Sequence, residues 1–416
     1  MTTITETVSV PTATNIVDEI NKKAEALTLS IDVTKRVQGG IPLDLSSKLP
    51  AATKARFDRH GLDYSRGYPE RPTNGTIPLY HHEAHAVRDY EIPYIARGKD
   101  ADPEFKALFA KATEVKHLTK YIGTELVGVQ LNDLNEKELD ELALLIAQRV
   151  VVFFRDQDLS PKKQVEIAEF FGIPEIHPIA SHPTGEEYRS LRVIWSELFK
   201  SGTGKVETFR RNKVDTAVWH SDHPHEFQPA GITHLHIDSN PEIGGDTLWS
   251  SGYAAFDKLS PAFQKFLEGK YAYQTSLHAY VDKDDPLGGL KKVERKQPIV
   301  RTHPVTGWKS LYVNRGATTR IEGLEPEESK IILDYLYDVY EKSLDIQVRF
   351  RWTSGTSALW DNRVSQHSNV HDLVDEQGDA GNRHGTRSVS LAEVPFFDPK
   401  SLSQREAQGL DPKRED

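Results

Sequence analysis

The segment Trp219-His220-Ser221-Asp222 contains two metal-ligating side chains that lie two positions apart. On an extended segment such side chains point the same way, so His220 and Asp222 can reach one metal while Ser221 faces away. His367, far downstream, offers a third ligand. Two imidazoles and one carboxylate on one face of a metal leave the opposite face open, as in non-haem Fe(II) oxygenases. We therefore predict an iron site built from these three side chains.

The His-x-Asp pattern alone is weak evidence, because the chain contains 17 histidines and such a pair arises easily by chance. Three other histidine groups compete with it: His223 with His225, His234 with His236, and His81 and His82 with His85. The second group lies on one face of a predicted strand and could bind zinc, although we expect a solvated strand face. We expect the third group to be a solvated run outside the site.

The amino-acid composition limits the classes of protein to which the chain can belong. With 416 residues, 37% of them hydrophobic and 27% charged, the chain fits one large soluble domain with extensions. No apolar run approaches the roughly 20 residues that cross a bilayer, and no secretory signal is visible, so we expect a cytoplasmic protein that does not bind membranes. The absence of cysteine excludes disulfides and thiolate metal sites. A formal net charge of −10 argues against binding to nucleic acid.

The chain divides into three predicted regions. Residues 1–112 are polar and rich in proline and charge, and we expect them to form an extended segment that wraps the surface or a subunit interface. Residues 113–398 carry the apolar periodicity of a catalytic domain, and residues 399–416 are typical of a charged tail. Within the domain, residues 182–215 would suit a mobile lid, and an ordinary surface excursion fits equally well.

Secondary-structure signals favour a mainly β fold with flanking helices. Asn135 followed by Glu138 predicts the start of a helix, and Ser160 and Ser260, each followed by proline, predict two more. A further helix is predicted over residues 327–342, and residues 150–154 are typical of a buried strand. The rest is mostly short strands between turn residues. This pattern predicts two packed antiparallel sheets, a jelly roll, with helices against one side.

Several segments surround the predicted ligands in a fixed order. They are Val151-Val152-Phe153-Phe154-Arg155-Asp156-Gln157, Phe171-Gly172, His177-Pro178, Gly244-Gly245-Asp246-Thr247-Leu248-Trp249, Thr302-His303-Pro304-Val305-Thr306-Gly307, Leu311-Tyr312-Val313-Asn314, Trp360-Asp361-Asn362-Arg363 and Gln366-His367, with Arg383 and Arg387 near the end. Together with the first stretch they resemble the taurine dioxygenase (TauD/TfdA-like) family of Fe(II)/2-oxoglutarate-dependent dioxygenases, of the fungal sulfonate dioxygenase type. The resemblance covers about residues 116–398.

The resemblance implies a double-stranded β-helix, a cupin-like jelly roll, with His220, Asp222 and His367 as ligands of Fe(II). It implies 2-oxoglutarate as a co-substrate with O2. Arg383 is expected to grip the far carboxylate of 2-oxoglutarate bidentately, and Thr247 to add a hydroxyl donor.

For the primary substrate, the resemblance implies contacts from Arg387, His177 and Thr216. Arg387 lies four residues after Arg383, and an even separation on a strand turns both guanidiniums toward one cavity. Such a cluster is costly unless anions neutralise it. We therefore expect a small anionic organic substrate, and also a homo-oligomer, either a dimer or a tetramer.

The implied reaction is hydroxylation of the carbon next to sulfur in an alkyl sulfonate, which releases sulfite and an aldehyde together with succinate and CO2. Ala180 and Thr216 stand where taurine dioxygenase has tyrosine and asparagine, which disfavours taurine itself. A sulfate ester, an aryloxyacetate or a purine-type substrate are alternatives within the same chemistry. A metal-binding jelly roll or a zinc hydrolase with the same three ligands is the alternative outside it. Arg383 and Thr247 favour oxidation, because a hydrolase needs no keto-acid anchor.

Overall fold

The computed structural model of the protein describes residues 41–42, 44–71, 91–177, 180–199, 219–281, 290–370, 372 and 382–410. The histidine group at positions 81–85, Thr216 and residues 200–215 of the predicted lid lie outside the described residues. Residues 411–416 of the predicted tail also lie outside them.

The described part of the chain consists of many short strands and a smaller number of helices. The strands are β1 (Ile41–Pro42), β2 (Glu70–Arg71), β3 (Glu114–His117), β4 (Thr124–Val127), β5 (Val151–Phe154), β6 (Arg192–Trp195), β7 (Ala230–Ser239), β8 (Thr247–Ser251), β9 (Tyr271–Val281), β10 (Leu290–Pro298), β11 (Val300–Thr302), β12 (Lys309–Leu311), β13 (Thr318–Ile321), β14 (Gln347–Phe350), β15 (Thr356–Asp361), β16 (Ser365–Asn369) and β17 (His384–Leu391). The helices are α1 (Ala51–His60), α2 (Lys106–Phe109), α3 (Glu136–Arg149), α4 (Pro161–Phe171), α5 (Gly252–Asp257), α6 (Pro261–Leu267), α7 (Pro326–Lys342) and α8 (Gln404–Ala407).

The predicted helices are confirmed and begin at the predicted caps. Asn135 and Glu138 form a capping box at the start of α3, in which each side chain bonds the backbone N–H of the other residue. Ser160 caps α4 and Ser260 caps α6, each with proline in the first turn. Helix α7 begins one residue before the predicted start. Among the helices described, none combines the length and the apolar character that a membrane crossing needs.

Two facing sheets form the core of the fold. The major sheet has the strand order β3-β4-β5-β15-β7-β17-β6 and the minor sheet the order β14-β8-β16. Their pairings are antiparallel except for the parallel pair of β4 with β5. Between the sheets, Trp249 and Phe350 of the minor sheet pack with Phe153, Ile237 and Trp360 of the major sheet. This is the predicted jelly-roll core, and the removal of these large apolar side chains from water stabilises it.

Strand β7 presents different residues to its two faces. Leu235 and Ile237 point into the core between the sheets, whereas His234 and His236 point to the outer face. Both histidines are buried, with 2% and 1% of their surface exposed, so the expected solvated strand face is wrong. Their rings lie 3.1 Å and 2.9 Å from Ser357 Oγ. Helices cover this face, and burial lowers the pKa of His236 to about 4, which keeps its ring neutral.

Helix α1 is one of the elements that cover the outer face of β7 and β17. Its Arg56 donates from Nη1 to Asp238 Oδ1 at 2.8 Å and to Thr386 Oγ1 at 3.2 Å. Asp238 Oδ2 lies 2.8 Å from His384 Nδ1, and the other ring nitrogen of His384 lies 2.7 Å from the Tyr68 hydroxyl. We call Arg56, Tyr68, Asp238 and His384 the outer-face network. It ties the described part of residues 1–112 to the two central strands.

Removing Arg56 should destabilise the fold, because Asp238 would keep a buried charge without its guanidinium partner. We expect Arg56→Met to lower the free energy of unfolding by about 3–5 kcal/mol, the usual cost of breaking a buried ion pair. Arg59→Met on the same helix is the control, since the Arg59 side chain is 56% exposed and its partner Asp158 is 58% exposed. Such a pair contributes at most about 1 kcal/mol. Urea unfolding followed by circular dichroism measures both variants, and equal midpoints would contradict the prediction.

Candidate active site

The structure brings the three predicted metal ligands together. His220 and His367 form an isolated antiparallel bridge, in which the His220 N–H donates to the His367 carbonyl at 3.0 Å and the reverse bond measures 2.8 Å. Asp222 Oδ1 is 3.9 Å from Nε2 of each imidazole. The three ligand atoms all lie within 4.8 Å of one another. This spacing allows one metal ion to contact all three.

Neighbouring charges keep Asp222 ionised. Burial by itself raises the pKa of a carboxyl group, but Arg387 and the imidazoles of His367 and His220 hold the pKa of Asp222 far below its ordinary value. Burial, together with His220, lowers the pKa of His367 to about 3, so this imidazole is neutral near pH 7. An ionised carboxylate and a neutral imidazole are the states that metal binding requires.

A chain of hydrogen bonds fixes the Asp222 carboxylate. Thr233 Oγ1 donates to Asp222 Oδ2 at 2.8 Å, which leaves Oδ1 toward the imidazoles. Asn362 donates from Nδ2 to Thr233 Oγ1 at 2.8 Å and accepts from the Asp222 backbone N–H at 3.0 Å. Trp360 Nε1 donates to the same amide oxygen of Asn362 at 3.2 Å. Partners of this kind orient a metal ligand. Sequence reasoning singled out the segment from Trp360 to Arg363 but not these roles.

Ser221 faces away from the ligand atoms, as predicted. Its Oγ accepts from Asn314 Nδ2 at 3.3 Å. Gln366, which precedes the third ligand, donates from Nε2 to the Val313 carbonyl at 2.6 Å. The segment that contains Val313 and Asn314 therefore holds both of the ligand-bearing stretches.

Arg383 and Thr247 lie around the indole of Trp352. The guanidinium carbon of Arg383 is 5.9 Å from the centre of the Trp352 ring system, and Trp352 Nε1 donates to Thr247 Oγ1 at 3.0 Å. Arg383 Nε is buried without a hydrogen-bond partner among the described residues. Burial, opposed by Asp246, lowers the pKa of Arg383 to about 10, so the side chain is still charged near pH 7. A buried, charged guanidinium with an unused N–H donor can bind an incoming anion. Sequence reasoning did not identify Trp352 as part of this site.

Arg387 stands between the metal ligands and a neighbouring cleft. Its Nη1 is 3.1 Å from Asp222 Oδ1, and its Nε is buried without a hydrogen-bond partner among the described residues. His177, the other residue that the resemblance assigns to the substrate, lines the same cleft, and its Nδ1 accepts from the Ala180 N–H at 3.1 Å. We call this the Arg387 cleft, and its lining consists of Glu175, His177, Ala180, Arg189, Ser190, Leu191, Arg192, Arg387 and Val389.

The competing histidines His223 and His225 have separate acidic neighbours. His223 Nδ1 is 2.6 Å from Glu175 Oε1, whereas His225 Nε2 is 3.3 Å from Glu226 Oε1. His223 has a φ of 45°, in the left-handed region that side chains other than glycine rarely adopt. Strained residues of this kind concentrate at functional sites. Glu175 lines the Arg387 cleft, and the ring centre of His223 lies 5.6 Å from that of His177 in the same lining, so this pair lies beside the cleft.

A buried ion network supports the strand end that carries Asn362. Asp361 accepts from Arg363 Nη2 at 2.6 Å and lies 3.0 Å from His303 Nε2. Glu393 pairs with Arg363 at 3.3 Å and also with Arg301. The segments around His303 and Arg363 therefore have a structural role, because their buried side chains compensate the charges of Asp361 and Glu393.

The residues at the site fit the cofactors that the sequence implied. Two imidazole nitrogens and one carboxylate oxygen are the donor set of the non-haem Fe(II) oxygenases. Arg383 Nε, which has no hydrogen-bond partner in the described part of the chain, lies close to the same indole as the Thr247 hydroxyl and suits the far carboxylate of 2-oxoglutarate. The chain has no cysteine that would compete for iron.

Known proteins match the chain over the region that contains these residues. The model of the family "Taurine catabolism dioxygenase TauD, TfdA family" matches residues 114–389. An alpha-ketoglutarate-dependent sulfonate dioxygenase of Saccharomyces cerevisiae is 35% identical over 347 residues, which are 80% of this chain and 78% of the relative. An alpha-ketoglutarate-dependent dioxygenase of Penicillium expansum is 38% identical over 311 residues, which are 72% of this chain and 83% of the relative.

A solved structure agrees with these relatives. The crystal structure of a taurine dioxygenase from Burkholderia xenovorans has a TM-score of 0.58 and 27% identity, and the match covers 69% of this chain and 92% of that chain. The predicted resemblance and the predicted jelly-roll fold are both confirmed. The chain belongs to the TauD/TfdA family, and it is a non-haem iron dioxygenase that depends on Fe(II), 2-oxoglutarate and O2.

Proposed function

We propose that this dioxygenase hydroxylates the carbon next to sulfur in a small anionic organosulfur compound, an alkyl sulfonate. One oxygen atom of O2 enters the substrate and the other enters succinate, which forms from 2-oxoglutarate with loss of CO2. The hydroxylated carbon then loses sulfite and becomes an aldehyde. The observation that carries this proposal is the buried Nε of Arg387 beside Asp222, at the edge of a cleft that His177 also lines. The name of the Saccharomyces cerevisiae relative supports the choice of a sulfonate.

In this proposal His220, Asp222 and His367 bind iron, and they are the catalytic residues. When bound, Fe(II) with 2-oxoglutarate supplies the oxidising power that breaks a C–H bond. The protein contributes fixed ligand geometry, since Thr233 and Asn362 hold the carboxylate that faces the imidazoles.

We assign Arg383 and Thr247 to the co-substrate. A planar guanidinium can donate two parallel hydrogen bonds to a carboxylate, and Thr247 Oγ1 already accepts from Trp352 and can donate its own proton. The buried surroundings of Arg383 strengthen its attraction for an anion.

We assign Arg387, His177 and Thr216 to the primary substrate. A guanidinium has five N–H donors, so the contact of Nη1 with Asp222 leaves others for a sulfonate. A sulfonate bound there would lie beside a metal ligand, which brings its neighbouring carbon close to the metal. Such positioning lowers the entropic part of the barrier. The assignment of Thr216 to the substrate rests on the family resemblance alone.

We further propose a cytoplasmic homo-oligomer, a dimer or a tetramer, whose substrate is a small molecule. The net charge of −10 supports the view that nucleic acid is not a substrate.

The proposed reaction predicts sulfite and succinate in equal amounts. Purified protein loaded with Fe(II) should release both from 2-oxoglutarate and at least one alkyl sulfonate in air, and neither product should form without O2. Sulfate esters, aryloxyacetates and purine-type compounds belong in the same panel. Succinate formation that is stimulated by one of these compounds, and by no sulfonate, would replace the proposed substrate class.

Loss of the Asp222 carboxylate should remove metal binding. We expect Asp222→Ala to weaken binding of Mn(II), a non-oxidising stand-in for Fe(II), by more than about 100-fold, because losing only an outer partner of a ligand costs about 10- to 100-fold. Asn362→Ala should therefore fall between this variant and the wild type. Calorimetry measures all three, with Asp158→Ala as a control on an exposed carboxylate. Unchanged Mn(II) affinity in Asp222→Ala would remove this residue from the site.

The two arginines should affect different substrates. We expect Arg383→Ala to raise the KM for 2-oxoglutarate, and Arg387→Ala to raise the KM for the sulfonate, each by about 10-fold or more, the effect of a lost charge-assisted hydrogen bond. Initial rates with each compound varied in turn, at saturating Fe(II), separate the two constants. An equal rise in the KM for 2-oxoglutarate in both variants would show that our division of their roles is wrong.

A further inference from the structure

We infer that Tyr68 and His384 are positioning residues for Arg383, the side chain that we assign to the far carboxylate of 2-oxoglutarate. This inference rests on the proposed function, because it takes that assignment of Arg383 as its starting point. It extends the role of the outer-face network from the stability of the fold to the binding of the co-substrate. It also gives residues 44–71, which precede the catalytic domain, an effect on the active site.

Arg383 and His384 are neighbours in the chain, and their side chains lie on opposite faces of the major sheet. Arg383 lies beside Trp352, which belongs to the core between the sheets. His384 is opposite Trp195 in the β6–β17 pair, and the two ring centres are 5.4 Å apart on the outer face. One rigid peptide unit joins Arg383 to His384, so a change in the placement of His384 also moves Arg383.

The pairing of β17 with β7 is irregular next to Arg383. His384 pairs with Ser239, whereas Gly385 pairs with Ile237, so the register passes over Asp238. An extra residue of this kind is a β-bulge, and bulges beside active sites commonly redirect a side chain. The direction of the Arg383 side chain therefore depends on the contacts that hold this bulge.

The outer-face network supplies those contacts. Asp238 Oδ1 accepts from Arg56 Nη1 at 2.8 Å, and Asp238 Oδ2 lies 2.8 Å from His384 Nδ1. Burial raises the pKa of Asp238, but Arg56 holds this pKa well below its ordinary value, so the ionised carboxylate accepts from His384 Nδ1. The other ring nitrogen of His384 lies 2.7 Å from the Tyr68 hydroxyl. Hydrogen bonds on both nitrogens fix the orientation of the His384 ring.

Aromatic side chains from residues 44–71 pack around the His384 ring. The ring centres of Phe57 and Tyr68 lie 6.0 Å and 5.7 Å from that of His384, and both side chains are buried. Close packing of this kind leaves little room for the ring to move. Tyr68→Phe keeps the packing and removes the hydroxyl, so it tests the hydrogen bond to His384 separately from the packing.

The test measures the binding of 2-oxoglutarate by calorimetry, with the full chain loaded with Mn(II) so that no turnover occurs. We expect Tyr68→Phe and His384→Asn each to raise the Kd by about 3-fold or more, an effect within the range of one hydrogen bond. His384→Asn keeps an N–H donor for Asp238 and loses the contact with Tyr68. Because both changes break the same bond, the double variant should bind no more weakly than the weaker single variant.

Tyr64→Phe is the matched control, since the Tyr64 hydroxyl donates to Asp58 at 2.9 Å in an exposed bond of the same N-terminal segment. It should leave the Kd at the wild-type value. The stoichiometry of the titration gives the fraction of each preparation that binds, so partial unfolding is not mistaken for weaker binding. A role in stability alone would lower the midpoint of urea unfolding and leave the Kd unchanged.

Arg383→Ala, titrated in the same way, separates the two ways in which the expectation can fail. If Arg383→Ala weakens binding, a wild-type Kd in either Tyr68→Phe or His384→Asn would overturn the inference while the assignment of Arg383 stands. A wild-type Kd in Arg383→Ala would instead count against the role that the proposed function gives to Arg383.

Discussion

Two backbone hydrogen bonds between His220 and His367 join the segment that carries Asp222 to the minor sheet and so bring the three metal ligands together. His367 lies on β16 of the minor sheet, whereas Thr233, which holds Asp222, lies on β7 of the major sheet. The metal ligands are therefore collected at the seam where the two sheets face each other. Any shift of one sheet relative to the other would separate the carboxylate from the imidazoles. The geometry of the metal site therefore depends on the packing of the core between the sheets.

Strand β17 shows how one short segment supplies two kinds of chemistry. On its inner side, Arg387 reaches the metal ligands and the cleft. On its outer side, His384 and Thr386 contact Asp238 and Arg56 of the outer-face network. On the inner side, the Nε of Arg387 has no hydrogen-bond partner among the described residues and can donate to an incoming anion, while the outer side has its charges compensated within the protein. Because side chains alternate along a strand, β17 presents the residues of the site on one face and the residues of the outer-face network on the other.

The sequence was most informative where chemistry demands particular atoms at a particular spacing. A metal needs donors within a few ångströms, so the His-x-Asp pattern identified two residues that the structure does bring together with His367. Helix caps were predictable for the same reason, because Asn135 and Ser160 bond backbone groups only three residues away. Gly244 and Gly245, which precede Thr247, both adopt a positive φ that glycine allows.

The sequence could not reveal contacts that strand pairing creates. Asn362 contacts Thr233 because β15 pairs with β7. Alternation correctly placed His234 and His236 on one face, but it carried no information about the helices that cover that face.

Strand β6 stands at the end of the major sheet and pairs with β17 along one side in the described residues. Four residues that line the Arg387 cleft, at positions 189–192, come from this strand and the turn before it, whereas the metal ligands lie on β16 and on the segment that pairs with it, with Asp222 held by Thr233 of β7. The side chains that line the cleft are thus distinct from those that hold the metal, which would let such an enzyme change its substrate without rebuilding its oxidative machinery.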